Sequence, residues 1–222
     1  PIAHTFKYPM PGDPLPDAHL IAIHVSSGRI IRFDDVMLPV GVHSPFFLRM
    51  AWFATDGKAW LLKRDRYHRE IELLALDCRS GASRVVIRES VHSGYLDLNP
   101  NIIAIPNIRT LEDSAEVVWF SERDGWGHLY LHEMSTGKLR RQITQGAWRV
   151  TDIVHMDTVA RVVYFVAAGI DSNGDPACRS LCRIGLDGGV LEVLLTHDGD
   201  VFVPTNAPAG ADRDGLCRPV AN

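Results

Sequence analysis

The sequence predicts an all-β chain, a partial β-propeller of about three four-stranded antiparallel blades plus the outer hairpin of a preceding one. Three observations carry that expectation: a strand–turn–strand unit recurs every fifty-odd residues, every copy has glycine in its turn, and no sustained helical period separates the copies.

The four copies are LIAIHVSSGRIIR from Leu20, LLALDCRSGASRVVI from Leu73, LYLHEMSTGKLRRQI from Leu129 and LCRIGLDGGVLEVL from Leu181. Their turns, Ser26-Ser27-Gly28, Arg79-Ser80-Gly81, Ser135-Thr136-Gly137 and Asp187-Gly188-Gly189, supply the residue that tolerates the positive φ of a tight hairpin. Upstream of the last three copies lies another apolar, aromatic-bearing run: KAWLLKR around Trp60, EVVWFSER around Trp119 and RVVYFVA around Tyr164. Candidate innermost strands come before these, at Phe47 to Phe53 and at Val150 to Met156, the second followed by a turn at Asp157-Thr158. A β-sandwich is the alternative, because it too strings short strands at regular spacing. The blades are too few for a usual ring of about four to eight. The open ends of such an arc would need the remaining blades, self-association into a homo-oligomer, or a rearranged terminus to cover them.

Composition narrows the function classes. A hydrophobic content of 46% supports a packed core. The formal charge of -4 offers no basic face for nucleic acid. No apolar run reaches the roughly 18 residues of a membrane-spanning helix. The start, PIAHTFKYPMPGDPLP, lacks the basic and apolar regions of a secretory leader. Cys78, Cys178, Cys182 and Cys217 have neither CxxC spacing nor the density of a disulfide scaffold, so they read as mostly buried thiols.

The chemistry-bearing residues read mainly as structure. Asp124-Gly125 is a turn signal, and Trp126 with His128 fits a loop returning into the next strand. His128, His132 and His155 have no metal-ligand spacing, and Lys63-Arg64-Asp65-Arg66 is a basic run broken by acid, as in a solvated loop. Asp171-Ser172-Asn173-Gly174-Asp175 has the oxygen ligands of a calcium loop but lacks its closing Glu. Asp34-Asp35 and Glu112-Asp113 are paired acids with no sign that they converge on one bond. No metal, cofactor or catalytic residue is therefore expected.

The segment SERDGWGHLYL from Ser121 and GKLRRQITQGAWRVTDI from Gly137 together resemble the propeller domain of dipeptidyl peptidase IV-like serine peptidases of the prolyl oligopeptidase clan. Tyr8-Pro9-Met10-Pro11-Gly12 is similar to that family's YPKAG segment, and VVYFVA and SLCRIGLDGG match its next blade in order. The resemblance spans roughly Phe6 to Thr196. It implies a non-catalytic propeller segment that gates and binds peptide for a separate α/β-hydrolase domain, the intact enzyme releasing dipeptides, often Xaa-Pro or Xaa-Ala, from peptide amino termini. It also implies a periplasmic or extracellular setting. The nucleophile elbow GxSxG is missing from this sequence, as is any Glu-Glu pair of the kind the family uses for the substrate's amino terminus, so the chain alone is expected to be inactive. Tyr95, after Gly94, and Asn99 fall where the family has a loop lining the substrate chamber, which makes them the candidate peptide-binding residues. Residues 1–196 read as the blade array and 197–222 as a divergent tail, rich in Ala, Gly, Pro and Asp. A standalone interaction domain that retains blades without a hydrolase is the alternative function, and a carbohydrate-active propeller a third.

Overall fold

The computed structural model describes residues 12–13, 17–39, 49–55, 57–98, 105–170 and 178–197. Fourteen strands form one two-stranded and three four-stranded sheets among these residues. The hairpin pairs β1 (Asp17–Ile23) with β2 (Ile30–Pro39). The next sheet runs β3 (Ala51–Phe53), β4 (Lys58–Arg64), β5 (Glu70–Asp77), β6 (Ser83–Ser90), each strand antiparallel to its neighbour. The third comprises β7 (Arg109–Leu111), β8 (Glu116–Ser121), β9 (His128–Glu133) and β10 (Leu139–Gln142), and the fourth β11 (Arg149–Asp157), β12 (Val162–Ala168), β13 (Arg179–Gly185) and β14 (Glu192–His197). Each four-stranded sheet is a meander in chain order, which is the strand plan of a propeller blade.

The repeated hairpins and the aromatic-bearing strands therefore lie where the sequence puts them. Of the expected inner strand at Phe47 to Phe53, Ala51–Phe53 is strand, while residues 47 and 48 lie outside the described residues. The expected Val150 to Met156 strand extends one residue at each end. The inner strand of the third sheet is Arg109–Leu111, only three residues long.

By chain contacts the protein divides into one unit of Pro1–Trp119 with Leu131–Arg140 and another of Phe120–Tyr130 with Arg141–Asn222. In the first, two apolar clusters fill the spaces between sheets. Phe33 and Val36 of β2 pack with Ala51, Leu61, Leu74 and Leu76 of the following blade. On that blade's other face, Trp60, Leu62, Leu73 and Val86 pack with Val117 and Trp119 of β8. The blade is apolar on both faces because each face meets another sheet. The indole N–H groups buried by this packing find acceptors: Trp119 Nε1 donates to Glu89 Oε2 at 2.7 Å and Trp52 Nε1 to Thr110 Oγ1 at 3.2 Å.

Hairpin turns fix how closely the sheets approach. Gly81 has φ 82°, and a Cβ there would collide with the Arg32 carbonyl of β2. Gly137 has φ 70°, and a Cβ there would collide with the Val86 carbonyl of β6. Arginines cross the same gaps: Arg29 donates to the Arg79 carbonyl at 3.1 Å, and Arg84 donates to the carbonyls of Ser135 at 2.9 Å and Met134 at 3.2 Å. Gly28 shares the conformation, φ 68°, but a Cβ there would meet nothing within 4 Å. Gly137→Ala should therefore destabilise the protein by roughly 2–4 kcal/mol, combining backbone strain with a forced gap between sheets, and Gly28→Ala by only about 1 kcal/mol from strain alone. Urea denaturation of the two variants checks this ordering.

Candidate functional site

A meander sends its loops to two ends. In the first complete blade, β3–β6, the register pairs Lys58 with Asp77 and Arg64 with Ile71, so the turn 54–57 and the hairpin 78–82 lie at one end. The link 65–69 and the segment leaving β6 at Val91 lie at the other.

At the first end a groove of about 490 Å³ is lined by Thr55, Lys58, Trp60, Arg84, Glu112 and Met134, among others. Glu112 accepts from the Thr55 backbone N–H at 3.1 Å, the Thr55 hydroxyl and Trp60 Nε1 at 3.4 Å. The Thr55 hydroxyl is the main cause holding its carboxyl below the ordinary 4.5. With its carboxylate taken up by these donors, Glu112 serves here as a tie between turns.

The second end is built around Asp65. Its carboxylate accepts from the backbone N–H groups of Tyr67 at 3.3 Å, Arg69 at 2.6 Å and Glu70 at 2.9 Å, which fixes the 65–69 loop. His68 occupies the left-handed region at φ 55°. The segment after β6 is bolted to this loop: Val91 N donates to the Arg69 carbonyl at 2.9 Å and Leu96 N to the His68 carbonyl at 2.6 Å. Leu96 and Leu98 are buried in the apolar cluster, which leaves Tyr95 between the two anchors and 70% exposed. Tyr67, on the adjoining loop, is 73% exposed. Sequence reading singled out Tyr95 and passed over Tyr67, whose exposure depends on the Asp65 turn; the Asp two residues ahead of it was the available signal. Asn99 lies outside the described residues.

The SERDGWGHLYL and ITQGAW segments meet in the second unit. Thr144 Oγ1 accepts from the Leu129 N–H at 2.9 Å and lies 3.0 Å from His128 Nδ1, while His128 Nε2 lies 3.0 Å from the Gly146 carbonyl. A carbonyl can only accept, so Nε2 carries the proton. Trp148 packs edge-on against His128 with centroids 4.9 Å apart and stacks on Phe165 at 6.0 Å. His128 is thus a buried brace between β9 and the link 143–148. Gly127 is required beside it, since a Cβ would lie 2.6 Å from the Phe120 ring. On the β8–β9 link, Arg123 stands over the Tyr130 ring at 4.5 Å and donates from Nε to Ser121 Oγ at 2.9 Å. Asp124 turns the chain by accepting from the Trp126 N–H at 3.1 Å, as its sequence predicts.

Among the described residues no group of three His, Cys, Asp or Glu side chains is arranged to hold a metal, and residues 171–175 lie outside the description. Cys78 is half-buried, Cys178 and Cys182 are buried, and all three are free thiols. Burial pushes the Cys182 thiol up to about 11, which makes it a poor nucleophile.

Sheets of four antiparallel strands, repeated along the chain as meanders, define it as a β-propeller portion. Residues 1–207 match the family described as the dipeptidyl peptidase IV (DPP IV) N-terminal region, and the chain belongs to that family. It is similar to the dipeptidyl peptidase 4 of Trichophyton equinum, 26% identical over 196 residues that cover 85% of this chain and 23% of the relative. It is also similar to the probable dipeptidyl peptidase 4 of Emericella nidulans, 26% identical over 171 residues, 72% of this chain and 21% of the relative. The crystal structure of Porphyromonas gingivalis dipeptidyl peptidase 4 superimposes with a TM-score of 0.59 at 16% identity, over 80% of this chain and 23% of that one, a likeness of fold. The chain thus spans 21–23% of the length of these relatives.

His68 gives the second end a pH dependence. Partial burial first, then the Arg64 guanidinium, holds the imidazole below its ordinary 6.5, against the opposing pull of Asp65 and Asp97. The closed loop therefore binds the proton less well than the open one, and acidification through 6.5 favours opening, whereas above 6.5 the group is silent. The hydrogen-exchange protection factor of the Leu96 amide should fall between pH 7.5 and 5.5 relative to that of Leu74, and His68→Asn, which tolerates the left-handed backbone, should abolish the difference.

Proposed function

We propose that this chain is the non-catalytic propeller portion of a dipeptidyl peptidase IV-like serine peptidase, gating and binding peptide substrates for an α/β-hydrolase domain outside these 222 residues. The observation that carries this reading is the family match, which runs through the blades in chain order over residues 1–207. The names of the relatives, dipeptidyl peptidase 4, supply the reaction: the intact enzyme would release dipeptides from peptide amino termini. Propellers contribute to such reactions by access and binding while the bond chemistry sits elsewhere. Within the chain, residues 1–196 form the blade array and 197–222 the divergent tail.

The peptide-facing surface is the end of the blade that carries Tyr95; Asn99, the other candidate, lies outside the described residues. A tyrosine held out between the backbone anchors at Val91 and Leu96 offers apolar contact area and a hydroxyl at little conformational cost. The purified chain should not hydrolyse a Gly-Pro chromogenic substrate. It should bind peptides with a free Xaa-Pro amino terminus, and Tyr95→Ala should weaken that binding at least fivefold by titration calorimetry, about 1 kcal/mol. Hydrolysis that survives repurification and is blocked by a serine reagent would contradict the reading, as would binding indifferent to Tyr95→Ala contradict the assigned surface.

A further inference from the structure

Tyr95 has an aromatic neighbour on the adjoining loop. Leu96 N donates to the His68 carbonyl at 2.6 Å, and Tyr67 and Tyr95 each stand one residue before a partner in that bond. The hydrogen bond that anchors the segment after β6 therefore brings the two tyrosines to one place at this end of the blade. Both are outside the core, 73% and 70% exposed, while Trp60 and Trp119 of the packed faces are buried. Neither position is loose. Tyr67 sits within the turn that Asp65 closes by accepting from the Tyr67, Arg69 and Glu70 N–H groups, and Tyr95 lies between the Val91 and Leu96 anchors. Residues already held in place lose little freedom when a ligand covers them.

The link that presents Tyr67 is a repeated device. Arg64-Asp65-Arg66-Tyr67 leads from β4 toward β5, and Arg123-Asp124-Gly125-Trp126 leads from β8 toward β9, the equivalent link of the next blade. In each, the aspartate accepts from the N–H of the aromatic residue two positions on, at 3.3 and 3.1 Å. The turn asks only for the Asp; the aromatic ring takes no part in it and is left exposed both times, Trp126 at 45%. Beside Tyr95, the exposed ring of Tyr67 forms a pair, which sets it apart from apolar side chains scattered singly over a surface.

We propose that Tyr67 is a second peptide-contacting residue, paired with Tyr95 and positioned by Asp65, and that the pair favours peptides with apolar side chains after the amino-terminal dipeptide. The inference rests on the reading that this chain binds peptide for a hydrolase domain. In that reading the dipeptide must reach a nucleophile outside these 222 residues, which leaves the residues that follow it for the surface carried here. Two tyrosine rings supply apolar area for such side chains and hydroxyls for the peptide backbone.

Titration calorimetry of the full chain tests it with two peptides that both start Gly-Pro, one with Leu and one with Ser at the next two positions. The Leu peptide is expected to bind more tightly, with Tyr67→Ala weakening it roughly threefold or more and Tyr67→Ala/Tyr95→Ala removing the difference between the two peptides. Tyr67 is already exposed, so the fold is kept. Asp65→Ala releases the link and should weaken the Leu peptide as Tyr67→Ala does. Asp65→Asn, whose amide oxygen can still accept from the Arg69 and Glu70 N–H groups, should recover part of that loss. Phe53→Ala removes a comparably exposed ring at the opposite end of the same blade and should change nothing. Loss with Tyr95→Ala but not with Tyr67→Ala overturns the inference and leaves the peptide-binding reading standing. Indifference to both, or no binding of either peptide, overturns the reading and the inference together. Full affinity in Asp65→Ala overturns the positioning role, and equal affinity for the two peptides overturns the apolar preference. A loss with Phe53→Ala overturns the pairing, since exposed apolar area at large would then account for the binding.

Discussion

The close approach of a glycine turn to the backbone of the preceding sheet sets the rest of the first unit. Gly81 against the Arg32 carbonyl and Gly137 against the Val86 carbonyl leave no room for a side chain, and this contact fixes both spacing and register between sheets. Once it is made, Arg84 reaches the Ser135 and Met134 carbonyls, and the apolar faces of β4 and β5 close over Phe33 on one side and Trp119 on the other. In a stacked array each repeat gains stability mainly from its neighbours, so an element that governs the neighbour distance governs the whole.

The two ends of the blade follow from that stacking. One end ties adjoining turns together through Glu112, whose carboxylate is committed to Thr55 and Trp60. The other carries the Asp65 loop and the anchored segment that holds Tyr95 out. Polar groups at the first end satisfy one another, whereas the second end presents aromatic surface outward. That asymmetry supports the proposal of a peptide-binding surface at the second end.

Much of this was legible in the sequence. Alternation and the recurring glycine turn revealed the hairpins, and the aromatic-bearing runs marked the third strands, because both patterns are local. The short strand Arg109–Leu111 was not, since three residues of mixed character carry no period. Why Gly81 and Gly137 must be glycine was half legible: the turn demands positive φ, but the carbonyl facing each comes from a strand about fifty residues earlier. His128 was correctly read as structural, yet its partners Thr144 and Gly146 emerge only when β9 and the link 143–148 are brought together. Tyr95 was singled out through the family resemblance; what the structure adds is its exposure between the backbone anchors at Val91 and Leu96.

The central claim is that these blades serve a serine peptidase. It is tested most directly by probing lysate of the source cells with a fluorophosphonate label for active serine hydrolases and with an antibody to this chain. A single species several times heavier than 24.7 kDa, both labelled and recognised by the antibody, is the predicted result. An unlabelled native species near 24.7 kDa would contradict it.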